Sequence, residues 1–213
     1  MVVFCRQSRF HRVTGEDVLK KKSWLLILAF SLLTGSGCSE LRNSYLAPEA
    51  KTFHPKTIAI LPVEVGVYGV AGGVIDQVIA GVLTDKKWFS GVITPDALNQ
   101  QSGSREKLQK AVTEYLAKLK TVSFSDPDLS GNIGRIAGAE ALLVVTVDHW
   151  TYTVDKDKKL ARVGLGIKMI DAATGKIMWK ASHVQTDEYS FFKPELASVA
   201  RGLFKNMIEY MPH

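Results

Sequence analysis

One segment near the N-terminus decides how much of this chain is left to fold. Three consecutive lysines at positions 20–22 precede a nearly uninterrupted apolar run over residues 24–33, and small residues and Cys38 follow. This order of basic, apolar and small-residue regions is typical of an export signal. The apolar run is shorter than the roughly 20 residues that span a bilayer. We therefore expect residues 1–37 to be removed as a signal peptide and residues 38–213 to remain.

The residues around Cys38 indicate the type of signal. Residues 35–38 are Gly-Ser-Gly-Cys, which resembles a bacterial lipobox, although Gly35 stands where lipoboxes usually carry leucine. The resemblance implies that Cys38 receives a diacylglycerol, becomes the mature N-terminus and carries fatty acids such as palmitate. We predict lipidation at Cys38. An ordinary signal peptide cut near Gly37, with Cys38 left as a free thiol, is the alternative.

The first 19 residues form an unusually long and mixed approach to the signal. They contain both basic and acidic side chains and show no apolar periodicity. Bacterial initiation also uses codons that otherwise encode valine or leucine. We therefore expect translation to begin near Val18 or Leu19 rather than at Met1.

Charge and cysteine content exclude several classes of protein. The formal charge of +6 is concentrated in the signal, because six of the 27 bases and only two of the 21 acids precede Cys38. The remaining 21 bases and 19 acids are spread along the chain, which lacks the basic face of a nucleic-acid-binding protein. The two cysteines are Cys5 and Cys38. No disulfide and no cysteine-based metal site is expected in the mature chain.

Composition divides the mature chain into two parts. Residues 38–56 are polar, are interrupted by proline and follow neither a helical nor a strand period, which predicts a tether. Residues 57–213 are long enough for one α+β domain with its own core. We expect the order β-α-β-α-α-α-β-β-β-α, with a mixed sheet, helices mainly on one face, and a C-terminal antiparallel meander.

Three stretches of sequence resemble a known group of envelope proteins. They are the strand at residues 58–62, the helix end and following strand at 136–143, and the hairpin at 167–179. Together they resemble periplasmic lipoprotein domains related to the N-terminal domain of TolB, a group that includes the curli-secretion lipoproteins and the outer-membrane activators of penicillin-binding proteins. The resemblance covers about residues 56–210. It implies a TolB-N-terminal-like fold and a non-enzymatic part in envelope assembly or transport.

Residues that could support catalysis, cofactor binding or metal binding are few. His149 and His183 are expected on strands that could be neighbours, but no two histidines have the i, i+4 spacing of a helical metal site. Asp148 and His149 should point to opposite faces of one strand, which removes the simplest acid–base pair. We predict no catalytic residue, no metal and no cofactor.

The meander suggests a surface for a protein partner. A turn centred on Asp157 would place Val145 opposite Met169, and would also place Trp150 over Gly164. Trp150, Tyr152 and Arg162 would then share the outer face, and these residue types are enriched at interface hot spots. A purely structural role in the hairpin is the competing interpretation.

These observations predict a lipid-anchored interaction or regulatory module of the Gram-negative envelope. Ser39 follows the cysteine, where an aspartate commonly retains lipoproteins in the inner membrane, so we expect the outer membrane, facing the periplasm. The partners would be the membrane and unidentified envelope proteins, and association with further copies of the chain stays open. The alternative is a binding protein for a small glycan or lipid, held by a glycine-rich loop over residues 65–74. Its glycines are Gly66, Gly69, Gly72 and Gly73.

Overall fold

The computed structural model describes residues 43–100, 105–121 and 125–213. The predictions for the signal peptide, the translation start and the lipidation of Cys38 concern residues 1–42, outside the described residues. Within the described ranges, no helix is both long and apolar enough to cross a membrane.

A six-stranded mixed sheet forms the centre of the domain. Its spatial order is β1-β6-β5-β4-β2-β3, in which β2 runs parallel to β3 and β4 and the other neighbours are antiparallel. The strands are β1 Asn43–Leu46, β2 Thr57–Ile60, β3 Gly91–Ile93, β4 Ala141–Asp155, β5 Lys158–Asp171 and β6 Ile177–Tyr189. The predicted C-terminal meander is thus the three long strands β4, β5 and β6.

Five α-helices and two short 3-10 helices complete the described fold. The 3-10 helices are Pro48–Thr52 and Gly69–Ala71. The α-helices are α1 Gly72–Lys86, α2 Pro95–Gln100, α3 Arg105–Thr121, α4 Pro127–Ala137 and α5 Leu196–Ile208.

Both faces of the sheet are covered where the strands are continuously apolar. Ile58 and Ile60 of β2 enter one core with α1 and α5, whereas Ala59 and Leu61 enter a second core with α2, α3 and α4. Successive strand residues point to opposite faces, so an unbroken apolar run requires cover on both sides. The α+β class with a mixed sheet is confirmed. The helices are divided between the two faces rather than lying mainly on one.

The segment predicted as a tether joins the sheet instead. β1 pairs with β6, with Asn43 opposite Ser182 and Leu46 opposite Trp179. Ala47 and Ala50 are buried with Met178 against the sheet edge. The tether prediction is therefore wrong for residues 43–56. The backbone hydrogen bonds to β6 and the burial of two alanines outweigh the weak strand signal of this short polar stretch.

Local sequence signals set both ends of α4. The Asp126 carboxylate accepts hydrogen bonds from the backbone N–H groups of Asp128 and Leu129 at 3.0 and 3.2 Å, which begins α4. A hydrogen bond from Lys118 lowers the pKa of Asp126 below the usual carboxyl value and so favours the charged cap. Gly138 ends the helix in the left-handed conformation.

The apolar pattern of the strands predicts seven core side chains within the sheet, and this prediction is confirmed. All seven are at most 6% exposed and belong to the first core. They are Ile58, Ile60, Val145, Val147, Ile167, Met169 and Trp179.

Candidate functional site

The hairpin between β4 and β5 has a different register from the predicted one. Val145 lies opposite Ile167, two residues from the expected Met169. The turn contains only Lys156 and Asp157, both with positive φ (45° and 67°). This compact two-residue turn is centred half a residue earlier than the prediction assumed. The predicted register is wrong by one residue between His149 and the turn and by two residues up to Val147. The two-residue shift leaves the side chains up to Val147 on their expected faces.

A bulge between Val147 and His149 then reverses the facing of the outer half of β4. Beyond it, Trp150 lies opposite Val163 and packs against the first core, while Arg162 points to the opposite face. One extra residue in a strand exchanges its two faces from that point onward. The predicted surface of Trp150, Tyr152 and Arg162 is therefore not formed, because Arg162 is separated from the two aromatic residues.

Tyr152 instead holds the loop that follows β6. Its hydroxyl donates a hydrogen bond to the Pro194 carbonyl at 2.8 Å. The Lys193 ammonium lies 3.5 Å from the centre of its ring, and Tyr189 packs edge-on at 6.1 Å between centroids. These contacts give Tyr152 a structural role on the first face of the sheet.

The bulge also changes the positions of the histidines. His149, not Trp150, covers the bare backbone of Gly164, because a Cβ there would lie 2.9 Å from the His149 ring. Asp148 lies on this same face beside Gly166, so its predicted separation from His149 is wrong, although no hydrogen bond joins the two among the described contacts. His183 lies opposite Leu165 and faces the other side of the sheet. In the described part of the chain, no group of three or more metal-binding side chains is assembled.

The glycine-rich loop does not form a cradle. Gly66 has a φ of 53°, and a Cβ added at Gly66, Gly69 or Gly73 would meet no atom within 4 Å. Gly72 and Gly73 are the first residues of α1. The loop instead exposes two valines almost completely, Val67 at 91% and Val70 at 82%. Ligand binding by residues 65–74 stays a prediction that these contacts do not support.

These valines belong to a larger exposed apolar region at one end of the domain. α1 and α5 run side by side in the same direction, since Gly81 lies near Arg201 and Lys86 forms an ion pair with Glu209. The starts of both helices and the β4–β5 turn therefore share one end of the sheet. We call it the apolar end, defined by Val67, Val70, Val74, Val154, Phe191 and Phe192. Phe191 and Phe192 are 96% and 91% exposed.

The second face of the sheet has a polar groove where α2, α3 and α4 no longer cover it. We call this the outer groove, a cleft of about 420 Å³ with Gly166 on its floor. Glycine is required there because a Cβ would lie 2.6 Å from the Thr146 hydroxyl oxygen. The polar side chains along the outer groove are Asn43, Thr146, Lys168, Lys180 and Ser182.

Two lysines occupy the centre of the outer groove. Lys168 of β5 and Lys180 of β6 are directly opposite one another. Like charges in this arrangement repel. The Lys168 ammonium makes no ion pair or hydrogen bond with another described residue. The Lys180 ammonium lies 5.5 Å from the centre of the Tyr45 ring and makes no ion pair with a described residue. The sequence analysis did not identify these lysines, but each is a single polar residue between apolar neighbours, which is the pattern of an outward-facing strand position.

A second cleft of about 510 Å³ shares Lys180 with the outer groove. It extends along β6 past Tyr45 and Lys176 to Ser125 and Pro127. Lys176 forms an ion pair with Glu49, and their hydrogen bond lowers the pKa of Glu49. The two clefts meet at Lys180 on the second face of the sheet.

Comparison with solved structures identifies proteins of similar fold. A PelC dodecamer from Paraburkholderia phytofirmans aligns with a TM-score of 0.50 and 15% identity, over 81% of this chain and 96% of that chain. Another PelC dodecamer crystal from the same organism gives 0.48 and 17%, over 78% and 92%. Lipoprotein GNA1162 from Neisseria meningitidis gives 0.49 and 16%, over 73% and 99%.

Sequence comparisons add no family assignment. No protein-family model matches the chain, and no curated protein matches it. The similarity to solved structures shows the fold alone at these identities.

Proposed function

We propose that this protein is a lipid-anchored component of the bacterial cell envelope that works by binding another envelope component, without catalysis. The observation that carries the proposal is the short distance along the chain between Cys38 and the sheet. β1 begins at Asn43, only five residues after the cysteine expected to carry the lipid. Five extended residues reach at most about 17 Å. A domain of this length has a diameter of roughly 40 Å, so the anchored domain lies against the bilayer instead of hanging free of it.

The strand direction favours one end of the domain as the side that meets the bilayer. β1 is antiparallel to β6 and enters opposite Ser182, so the chain reaches it from the side on which β6 ends at Tyr189. The apolar end lies on that side, with Phe191 and Phe192 just beyond Tyr189. Exposed aromatic and aliphatic side chains are favourable at a membrane interface and costly in water. In the proposed orientation, Phe191 and Phe192 enter the lipid interface.

This orientation leaves the uncovered sheet face available to a partner. The outer groove opens along the side of the sheet instead of at the apolar end. Location in the outer membrane is part of the proposal and is supported by Ser39. Association of several copies is proposed as well, with support limited to the dodecameric state of PelC, whose fold is similar.

Replacing Cys38 with alanine tests the anchorage. We expect Cys38→Ala to move the protein from the membrane fraction to the soluble periplasmic fraction and to abolish labelling with an alkyne fatty acid. Cys5→Ala is the matched control, because Cys5 lies in the signal and its loss should change neither result. Retained fatty-acid labelling of Cys38→Ala would contradict the proposal. Recovery of the wild-type protein solely with the inner membrane would contradict the outer-membrane location.

A further inference from the structure

We infer that the outer groove binds a ligand with closely spaced anionic groups, carboxylates or phosphates, held between Lys168 and Lys180. The inference deepens the proposed binding role by naming the chemistry of the partner, and it does not depend on lipid attachment. Its basis is the cross-strand pair of lysines, which no described acid neutralises.

The facing lysines repel one another across β5 and β6. Two ammonium groups directly opposite on neighbouring strands destabilise the sheet, whereas an opposite charge between them would reverse the sign of the interaction. Some surface lysines of this domain have acidic partners, among them Lys118 with Asp126, Lys158 with Glu188 and Lys176 with Glu49. The groove lysines have none among the described residues, which leaves the position of a counter-ion open at the centre of the cleft.

Polar groups surround the lysines. The Ser182 hydroxyl accepts a hydrogen bond from the Asn43 amide at 3.4 Å and keeps its own hydrogen to donate, whereas the Thr146 hydroxyl is directed to the Asp148 carboxylate and the Gly166 carbonyl. The Ser182 hydroxyl can therefore donate a hydrogen bond to an anionic oxygen or to a sugar hydroxyl. Gly166 has no side chain between Thr146 and Lys168, so a ligand can approach the backbone closely there.

Two acids lie near the groove. Asp148 lies beyond Thr146 at one end, where its carboxylate accepts a long hydrogen bond from the Thr146 hydroxyl at 3.5 Å. Glu49 is at the other end and is already paired with Lys176. An anion is therefore favoured between these ends, beside Lys168 and Lys180. The adjoining cleft past Lys180 has room for an extended ligand, such as an acidic oligosaccharide or a phosphate-rich polymer.

The test measures binding of two probes to the full mature lipoprotein in detergent. Oligogalacturonate supplies carboxylates, tripolyphosphate supplies phosphates, and maltoheptaose is the neutral control. We expect isothermal titration calorimetry to detect one of the charged probes and not the neutral sugar. The double variant Lys168→Gln/Lys180→Gln should weaken that binding by at least about tenfold, because it removes both charged hydrogen-bond donors from the site.

The control variant is Lys159→Gln/Lys205→Gln, which removes two exposed lysines far from the groove. It should keep the wild-type affinity. The groove variant should also keep or raise the melting temperature, because it removes a repulsion; this separates loss of binding from loss of folding. The identity of the bound probe decides between a carboxylate and a phosphate source. Equal losses in both double variants, or no binding of either charged probe, would overturn the inference.

Discussion

Replacing Trp179 with alanine is expected to lower the free energy of unfolding by roughly 3–5 kcal/mol, as for other large-to-small changes in a core. The Trp179 side chain is 1% exposed, lies opposite Met169 and belongs to the core shared with α1 and α5. Alanine would leave a cavity that the sheet cannot close easily, since β6 is fixed by hydrogen bonds to both β1 and β5. Urea unfolding followed by circular dichroism measures the change.

Phe191→Ala is the matched control for this experiment. It also removes a large aromatic ring, but that ring is 96% exposed, so the cost should stay within about 0.5 kcal/mol. A loss below about 1 kcal/mol for Trp179→Ala would contradict the assigned facing of β6.

The second large effect is expected at Gly175, in the turn between β5 and β6. Its φ is 69°, and a Cβ there would lie 2.8 Å from Cα of Pro127, at the start of α4. Gly175→Ala therefore combines the strain of a left-handed residue, about 1–2 kcal/mol, with a clash against backbone, about 1–3 kcal/mol more. We expect a total loss of roughly 2–5 kcal/mol in the free energy of unfolding.

Gly138→Ala separates the two contributions. Gly138 has nearly the same φ, 71°, but a Cβ there meets no atom within 4 Å. This variant should show the conformational strain alone. Equal losses for the two substitutions would mean that the contact between the β5–β6 turn and α4 is not as close as described.

The parts of the fold that sequence predicted are those with local signals. Asp126 and Gly138 mark the ends of α4, and the alternation of apolar residues in β4 and β5 identified the buried face. Because side-chain facing repeats every two residues, that face was predicted correctly for β4 up to Val147, despite the two-residue error in register. Covalent geometry and short-range periodicity were sufficient for these features.

The missed features depend on contacts that local sequence does not specify. The bulge before His149 has no characteristic residue, yet it separates Arg162 from Trp150 and so removes the predicted interaction surface. β1 is short and polar, and it becomes a strand only because β6 offers an unpaired edge. The lysine pair in the outer groove exists only in the observed β5–β6 register, which the sequence analysis did not determine.

The orientation of the domain on the membrane is the central claim, and a fluorescent probe at residue 192 tests it most directly. The proposed lipidation would leave no free thiol at Cys38, so Phe192→Cys could then be labelled specifically with an environment-sensitive dye in the mature protein. Tyr210→Cys is the control, because Tyr210 is also an exposed aromatic residue but follows the C-terminal end of α5. After reconstitution into phosphatidylethanolamine–phosphatidylglycerol vesicles, the dye at residue 192 should shift to the blue and be quenched by brominated lipids, while the dye at residue 210 should do neither. The account would be contradicted if both dyes remained in water on vesicle-bound protein. It would also be contradicted if the blue shift at residue 192 needed no lipid and grew with protein concentration.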